Sequence, residues 1–233
     1  MLYDTWNAYD PNPNYSPEDE ARRQERLRQA QEIARAVLPD LRQEIENPDR
    51  DMNSVFEVLR PYHQQTVGEV PMTPNDLPEL QALCRLVLGR GGREQNRIQA
   101  FLLRLIGATA AAESVPFLLE MLHFGRRGDH FGPERRQLAL WGLARVAIFH
   151  DVRQVYEALR AGLDDHHADV RFTTADLILS AYLDARRKAP RSVVDRLEEM
   201  ARSDPDKHVR RRCKSFLREP WVDSEIDEAE NNG

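Results

Sequence analysis

Apolar residues along this chain recur at intervals of three and four, and no segment alternates apolar and polar residues over the length of a strand. Leu80, Leu83, Cys84 and Val87 are one instance, and the same stripe returns in segment after segment. The intervals predict helices over 76–89, 93–108, 114–124, 134–149, 152–163, 168–186, 190–202 and 207–218. No Asn-Gly turn joins two alternating runs. The pattern is that of an all-α protein.

A different helical part precedes this rhythm. Ser16-Pro17-Glu18-Asp19-Glu20 reads as a helix start, with Ser16 as N-cap, Pro17 at the first helical position and acids in the first turn. Ile33, Val37, Leu41 and Ile45 carry its apolar stripe to about Asn47, and Pro39 predicts a bend or break on the way. Met52, Val55, Phe56 and Leu59 predict a second, shorter helix ended by Pro61, so residues 17–61 form an N-terminal helical extension. Segment 62–74 lacks a helical period and reads as a linker. Residues 1–16 hold Tyr3, Trp6, Tyr9 and Tyr15 between prolines and asparagines. They predict an extended aromatic arm, docked on the protein's own first helices or inserted into a partner.

From residue 75 the helices come in pairs, and the second helix of each pair has an arginine near its start. Arg97, Arg136, Arg171 and Arg210 are spaced by 39, 35 and 39 residues. Three residues later comes a small side chain in each case: Ala100, Ala139, Thr174 and Cys213. Asp129, Asp164 with Asp165, and Asp204 precede three of the arginines by six or seven residues. The stretches Asp165–Arg171 and Asp204–Arg210 are the clearest pair, each ending in Val-Arg.

This pattern resembles the HEAT-repeat family in its short bacterial form, across about residues 75–219. The first unit departs from it, because Arg104 stands where the others have an apolar residue and no Asp precedes Arg97. The resemblance implies an α-solenoid of about four helix pairs behind the N-terminal helical extension. One pair cannot bury its apolar face alone, so pairs stack and share a core. The four arginines then read as structural, their aspartates accepting from turn amides or from a neighbouring arginine. The second helices would line the concave side. Leu138, Trp141 and Arg145, Thr173, Asp176 and Ser180, and Arg212, Ser215 and Glu219 would point outward there.

Charge changes the picture at the two ends. The net charge of −6 over 233 residues hides five acids and no base in residues 1–20, and five acids and no base in residues 223–233. Residues 220–233 read as a disordered acidic tail. Segment 186–218 carries twelve Lys or Arg against five Asp or Glu. Thirty of the 33 basic residues are Arg, spread along the whole chain, which fits a GC-rich genome better than a dedicated phosphate site. No apolar run approaches the roughly 20 residues of a membrane span, so no membrane partner is expected. The first residues lack the basic and apolar regions of a signal peptide, and the two cysteines, Cys84 and Cys213, fit free thiols in a reduced cytoplasm.

Catalytic motifs are not found. The histidines form no HExxH pair, the cysteines stand alone, and no nucleophile elbow or P-loop appears. No metal or cofactor is implied. Paired carboxylates such as Glu198-Glu199 read as solvated surface. The loop from Phe124 to Pro133 is the longest among the repeats, and its Arg126, Arg127, His130 and Phe131 are candidate partner contacts, joined by Trp141 and Arg145 on the following helix. The expected function is a non-catalytic scaffold or adaptor that binds another protein through the concave face and this loop. The alternative is a nucleic-acid-binding protein akin to the HEAT-like alkylpurine DNA glycosylases. Arg210, Arg211, Arg212 and Lys214 would then contact phosphates, and Trp141 and Asp176 would stand in the groove.

Overall fold

The computed structural model describes residues 16–47, 72–88, 93–124, 131–185 and 187–218, and all regular structure among them is helical. The aromatic arm, the short helix expected over 52–59, most of the linker, loop residues 125–130 and the acidic tail lie outside the described residues. Two compact units divide the chain, Met1–Thr109 and Ala110–Gly233. The boundary falls within the stretch that resembles one continuous array. The first helix pair shares a unit with the N-terminal helix, and the other three pairs form the second unit.

In the first unit, helix α1 spans Pro17–Glu46, α2 spans Leu77–Val87 and α3 spans Arg93–Ala108. Ser16 caps α1 as its sequence predicts, its hydroxyl oxygen accepting from the Asp19 amide at 3.1 Å. The break expected at Pro39 is not there, and α1 runs through it. Val37, Leu41 and Ile45 of the predicted stripe are buried, with Leu38 beside them. The Ile33 side chain lies outside the described set. Helix α1 packs on α2, and α2 on α3. Arg42 fixes the first contact from α1, its Nη2 donating to both carboxylate oxygens of Glu79 at 2.8 Å. Arg35 adds a second tie two turns earlier, through Nε to Asp76 at 3.0 Å. Asp76 also accepts from the Thr73 amide at 2.8 Å, which holds the turn leading into α2.

The second unit holds α4 (Val115–His123), α5 (Gly132–Phe149), α6 (Arg153–Gly162), α7 (Ala168–Asp184), α8 (Arg191–Ser203) and α9 (Lys207–Leu217). Each first helix packs on its own partner: α4 on α5, α6 on α7, α8 on α9. The second helices also pack in a row, α5 on α7 and α7 on α9. Helix α5 therefore meets α4, α6 and α7, helix α7 meets α5, α6 and α9, and both are buried around most of their circumference. That explains a departure from the sequence reading. Leu138, Arg145 and Asp176, placed outward by the helical wheel, are 4%, 5% and 9% exposed.

Close approach of α6 to this row depends on Gly162. A Cβ there would lie 2.8 Å from Oγ1 and 2.9 Å from Cγ2 of Thr174, and 3.1 Å from a methyl of Leu140. Thr174 cannot give way. It is fully buried, branched at Cβ, and its hydroxyl donates to the Val170 carbonyl at 2.7 Å. Gly162→Ala is expected to lower stability by about 1–3 kcal/mol, read as a reduced urea midpoint. In a Thr174→Ala background the same change should cost far less. Equal costs in both backgrounds would place the strain elsewhere.

Candidate interaction surface

Two of the repeat arginines build the frame on which any surface of the second unit rests. Arg136, in the first turns of α5, donates from Nε and Nη2 to the two carboxylate oxygens of Asp165, at 2.7 and 3.0 Å. Arg171, at the matching place in α7, donates likewise to Asp204, both bonds 2.8 Å long. Each aspartate sits in the turn before the next second helix. Each also accepts a turn amide, from His167 on Asp165 and from Asp206 on Asp204, at 2.8 Å. One carboxylate thus shapes its own turn and ties it to the preceding helix pair. Gln137 adds a parallel tie, donating to the Asp169 carbonyl at 2.9 Å and to the Thr173 hydroxyl at 3.2 Å. Arg97, the matching residue of the first unit, is exposed.

The rung from Arg171 to Asp204 is the drier of the two, with side-chain exposures of 9% and 3%. Burial by itself would push the Asp204 carboxyl up. The Arg171 hydrogen bond, the Asp206 amide and the guanidinium charge outweigh it and hold that carboxyl below its ordinary value of 3.8.

The row of second helices carries three half-buried aromatic rings, Trp141, Phe172 and Phe216, each near an arginine. On α5, Trp141 and Arg145 are one turn apart, with the Arg145 guanidinium carbon 5.4 Å from the ring centroid. Between α7 and α9, Arg212 lies 4.3 Å from the centroid of Phe216 and 6.0 Å from that of Phe172. Its Nε donates to Asp176 in a short hydrogen bond. Rings held this way are pre-positioned, because a guanidinium over an aromatic face resists rotation of both. Thr173 and Ser180 of the same row are also half-buried, and Ser215 is exposed. Glu219 lies outside the described residues.

The loop candidates divide. Arg126, Arg127 and His130 lie outside the described residues. Phe131 turns inward and is 4% exposed, so it is not available as a surface contact. The cause is Arg135, which the sequence reading passed over. Its guanidinium carbon stands 5.0 Å from the Phe124 ring centroid and 5.3 Å from that of Phe131, and its Nη1 donates to the Phe124 carbonyl at 2.9 Å. Arg135 therefore pins both ends of the loop. Two phenylalanines bracketing a glycine-rich stretch, with an arginine one turn later, were the available signal.

Of the C-terminal basic candidates, Arg211 and Lys214 are exposed on α9, whereas Arg212 belongs to the aromatic stripe. Arg210 turns its Nη1 to the Asp204 and Pro205 carbonyls, at 2.5 and 3.2 Å. Glu198, expected in solvent, is 3% exposed and accepts from Arg202 at 3.0 Å. Both cysteines are buried free thiols, and burial pushes the Cys213 thiol up to about 12, so it is protonated at neutral pH. Among the described residues, no group of three His, Cys, Asp or Glu side chains could hold a metal ion, and no helix is long and apolar enough to cross a membrane. A groove of about 410 Å³ opens beside α4 and α6, with Leu119, Leu122 and Ala158 on its apolar walls.

No protein-family model matches the chain, and no match is found among curated proteins or among solved structures.

Asp204→Asn leaves a buried guanidinium without its charge partner. The loss expected at neutral pH is about 3 kcal/mol, as for other broken buried pairs. The folded carboxyl titrates below 3.8, so its contribution is present above that value and fades as pH falls through the lower folded value. The variant's stability should therefore fall less steeply than the parent's in acid. Parallel acid limbs in urea titrations of the two would show that this rung does not carry the effect.

Proposed function

We propose that this protein is a non-catalytic scaffold or adaptor, built as a HEAT-like α-solenoid, that binds another protein along the row of its second helices. The observation that carries the reading is the stripe of Trp141, Phe172 and Phe216, half-buried and backed by Arg145 and Arg212. Aromatic rings and arginines concentrate binding energy at protein interfaces. Rings already fixed in place lose little further freedom on binding. The repeated Arg–Asp rung supports the solenoid part of the reading, because within the second unit it joins each helix pair to the next with the same chemistry. Arg126, Arg127 and His130 remain candidate contacts on the loop that Arg135 anchors.

The nucleic-acid reading draws on α9, which has six basic residues and no acidic one between Lys207 and Arg218. Asp176 fits a catalytic acid in a groove poorly, since it is 9% exposed and already bonded to Arg212.

Trp141→Ala and Phe172→Ala are expected to cut recovery of the co-purifying partner about tenfold each, as loss of an interface anchor does. Helicity and urea midpoint should stay near the parent's. Glu substitutions at Arg126 and Arg127 should weaken the same partner. Unchanged recovery from all of these, with the fold intact, counts against the surface. A loss of helicity at Trp141→Ala assigns that ring to the core instead.

A further inference from the structure

At Arg210, among the described residues, the rung pattern leaves a donor edge without a carboxylate. Arg136 and Arg171 each spend Nε and Nη2 on an aspartate of the next turn. Arg171 also sends Nη1 back to the turn before its own helix, to the Asp165 carbonyl at 2.9 Å. Arg210 repeats that last bond on the Asp204 carbonyl at 2.5 Å. Its guanidinium is thus anchored as that of Arg171 is. Among the described residues, no carboxylate reaches its Nε–Nη2 edge.

The surroundings favour an anion at that edge. Lys207, Arg210 and Lys214 fall on one face of α9, at positions i, i+3 and i+7, with Arg211 beside them. Lys207, Arg211 and Lys214 are exposed, and α9 itself carries no acidic residue. A fixed guanidinium edge takes a carboxylate through two parallel hydrogen bonds, as two such edges in this unit already do. The stretch that follows α9 has the complementary charge: Asp223, Glu225, Asp227, Glu228 and Glu230, with no base among them.

We propose that the open edge of Arg210, with Lys207, Arg211 and Lys214 around it, is a docking site for an acidic segment, and that its resident occupant is this chain's own stretch from Asp223 to Glu230. Reach allows it. Arg210 lies about 12 Å back along α9 from Arg218, at roughly 1.5 Å per residue. The five residues from Arg218 to Asp223 span up to about 17 Å when extended. Covalent attachment also sets the competition, since a segment tethered this closely acts at an effective concentration of about millimolar. Any acidic partner, or a phosphate backbone, has to displace it. The inference does not depend on the scaffold reading, because it concerns the end of the helix row and not the aromatic stripe.

The test uses the full chain. In one variant the five acids of the stretch are neutralised together (Asp223→Asn, Glu225→Gln, Asp227→Asn, Glu228→Gln, Glu230→Gln). The probe is a fluorescein-labelled peptide with the sequence of residues 221–233, followed by anisotropy at low and high salt. The neutralised chain should bind the peptide about tenfold or more tighter than the parent, whose own segment competes, and salt should weaken that binding. Arg210→Gln in the neutralised chain should abolish most of the gain. Arg153→Gln, the same charge change at a side chain 91% exposed on α6, should not. If Arg210→Gln costs helicity, Arg210→Lys replaces it, keeping the charge and losing the paired donors. The proposal is overturned by equal binding to parent and neutralised chains, by binding to neither, or by equal losses at Arg210 and Arg153. Tighter binding of duplex DNA than of peptide by the neutralised chain reassigns the site to phosphates and overturns it too.

Discussion

A buried guanidinium and a buried carboxylate each cost several kcal/mol in lost hydration, and the second unit is organised around meeting that cost twice with one geometry. Each guanidinium nitrogen of Arg171 has a partner, two on Asp204 and one on the Asp165 carbonyl. Asp204 in turn accepts the Asp206 amide. Such a rung tolerates little displacement, because a paired guanidinium–carboxylate contact fails when either plane tilts. It therefore fixes the conformation of a turn and the seating of the following helix against the preceding one. The aromatic stripe inherits this precision. Trp141 comes five residues after Arg136, and Asp176 five residues after Arg171, so the residues that hold the rings are set by the same anchors.

The helices were legible because their signal is local. Apolar spacing and turn residues placed all eight helices from residue 76 onward within about two residues of their observed ends, since neither depends on distant contacts. Pro39 shows the limit of that logic. Its cost is one hydrogen bond and a steric clash, and α1 continues through it, with Leu38 and Leu41 buried on either side and ion pairs from Arg35 and Arg42 tying the helix to α2. The spacing of Asp and Arg was legible too, but not its direction. Asp165 stands six residues before Arg171, yet its carboxylate belongs to Arg136 of the previous pair, and Arg171 takes only its carbonyl. Sequence separation cannot distinguish these two partners. Packing of α5 on α7 decides it.

What the helical wheel misjudged has one cause. It identifies the most apolar side of a helix but not how many neighbours cover the rest. Arg145 and Asp176 are charged and almost fully buried because α5 and α7 are each packed against several helices, and Glu198 on α8 is almost fully buried as well. The hydration of the two acids is replaced by specific partners, an Arg212 bond for Asp176 and an Arg202 bond for Glu198. Phe131 is the converse case. A phenylalanine in a glycine-rich loop looks available, and it is held inside by Arg135, which only the folded loop brings to it.

The arginine bias takes on a different meaning once these roles are separated. A GC-rich genome would suffice for arginines such as Arg153, which stands 91% exposed on α6 beside Glu157. It does not account for Arg136 and Arg171, where two parallel donors are required and a lysine ammonium, a point charge on a flexible stem, could not supply them. All three lysines of the chain, Lys188, Lys207 and Lys214, are exposed. Regular recurrence of an arginine in this sequence is thus evidence of internal use. The place to seek an external ligand is where recurrence runs out. Arg210 keeps the posture of the earlier rungs, and among the described residues no aspartate answers its second edge.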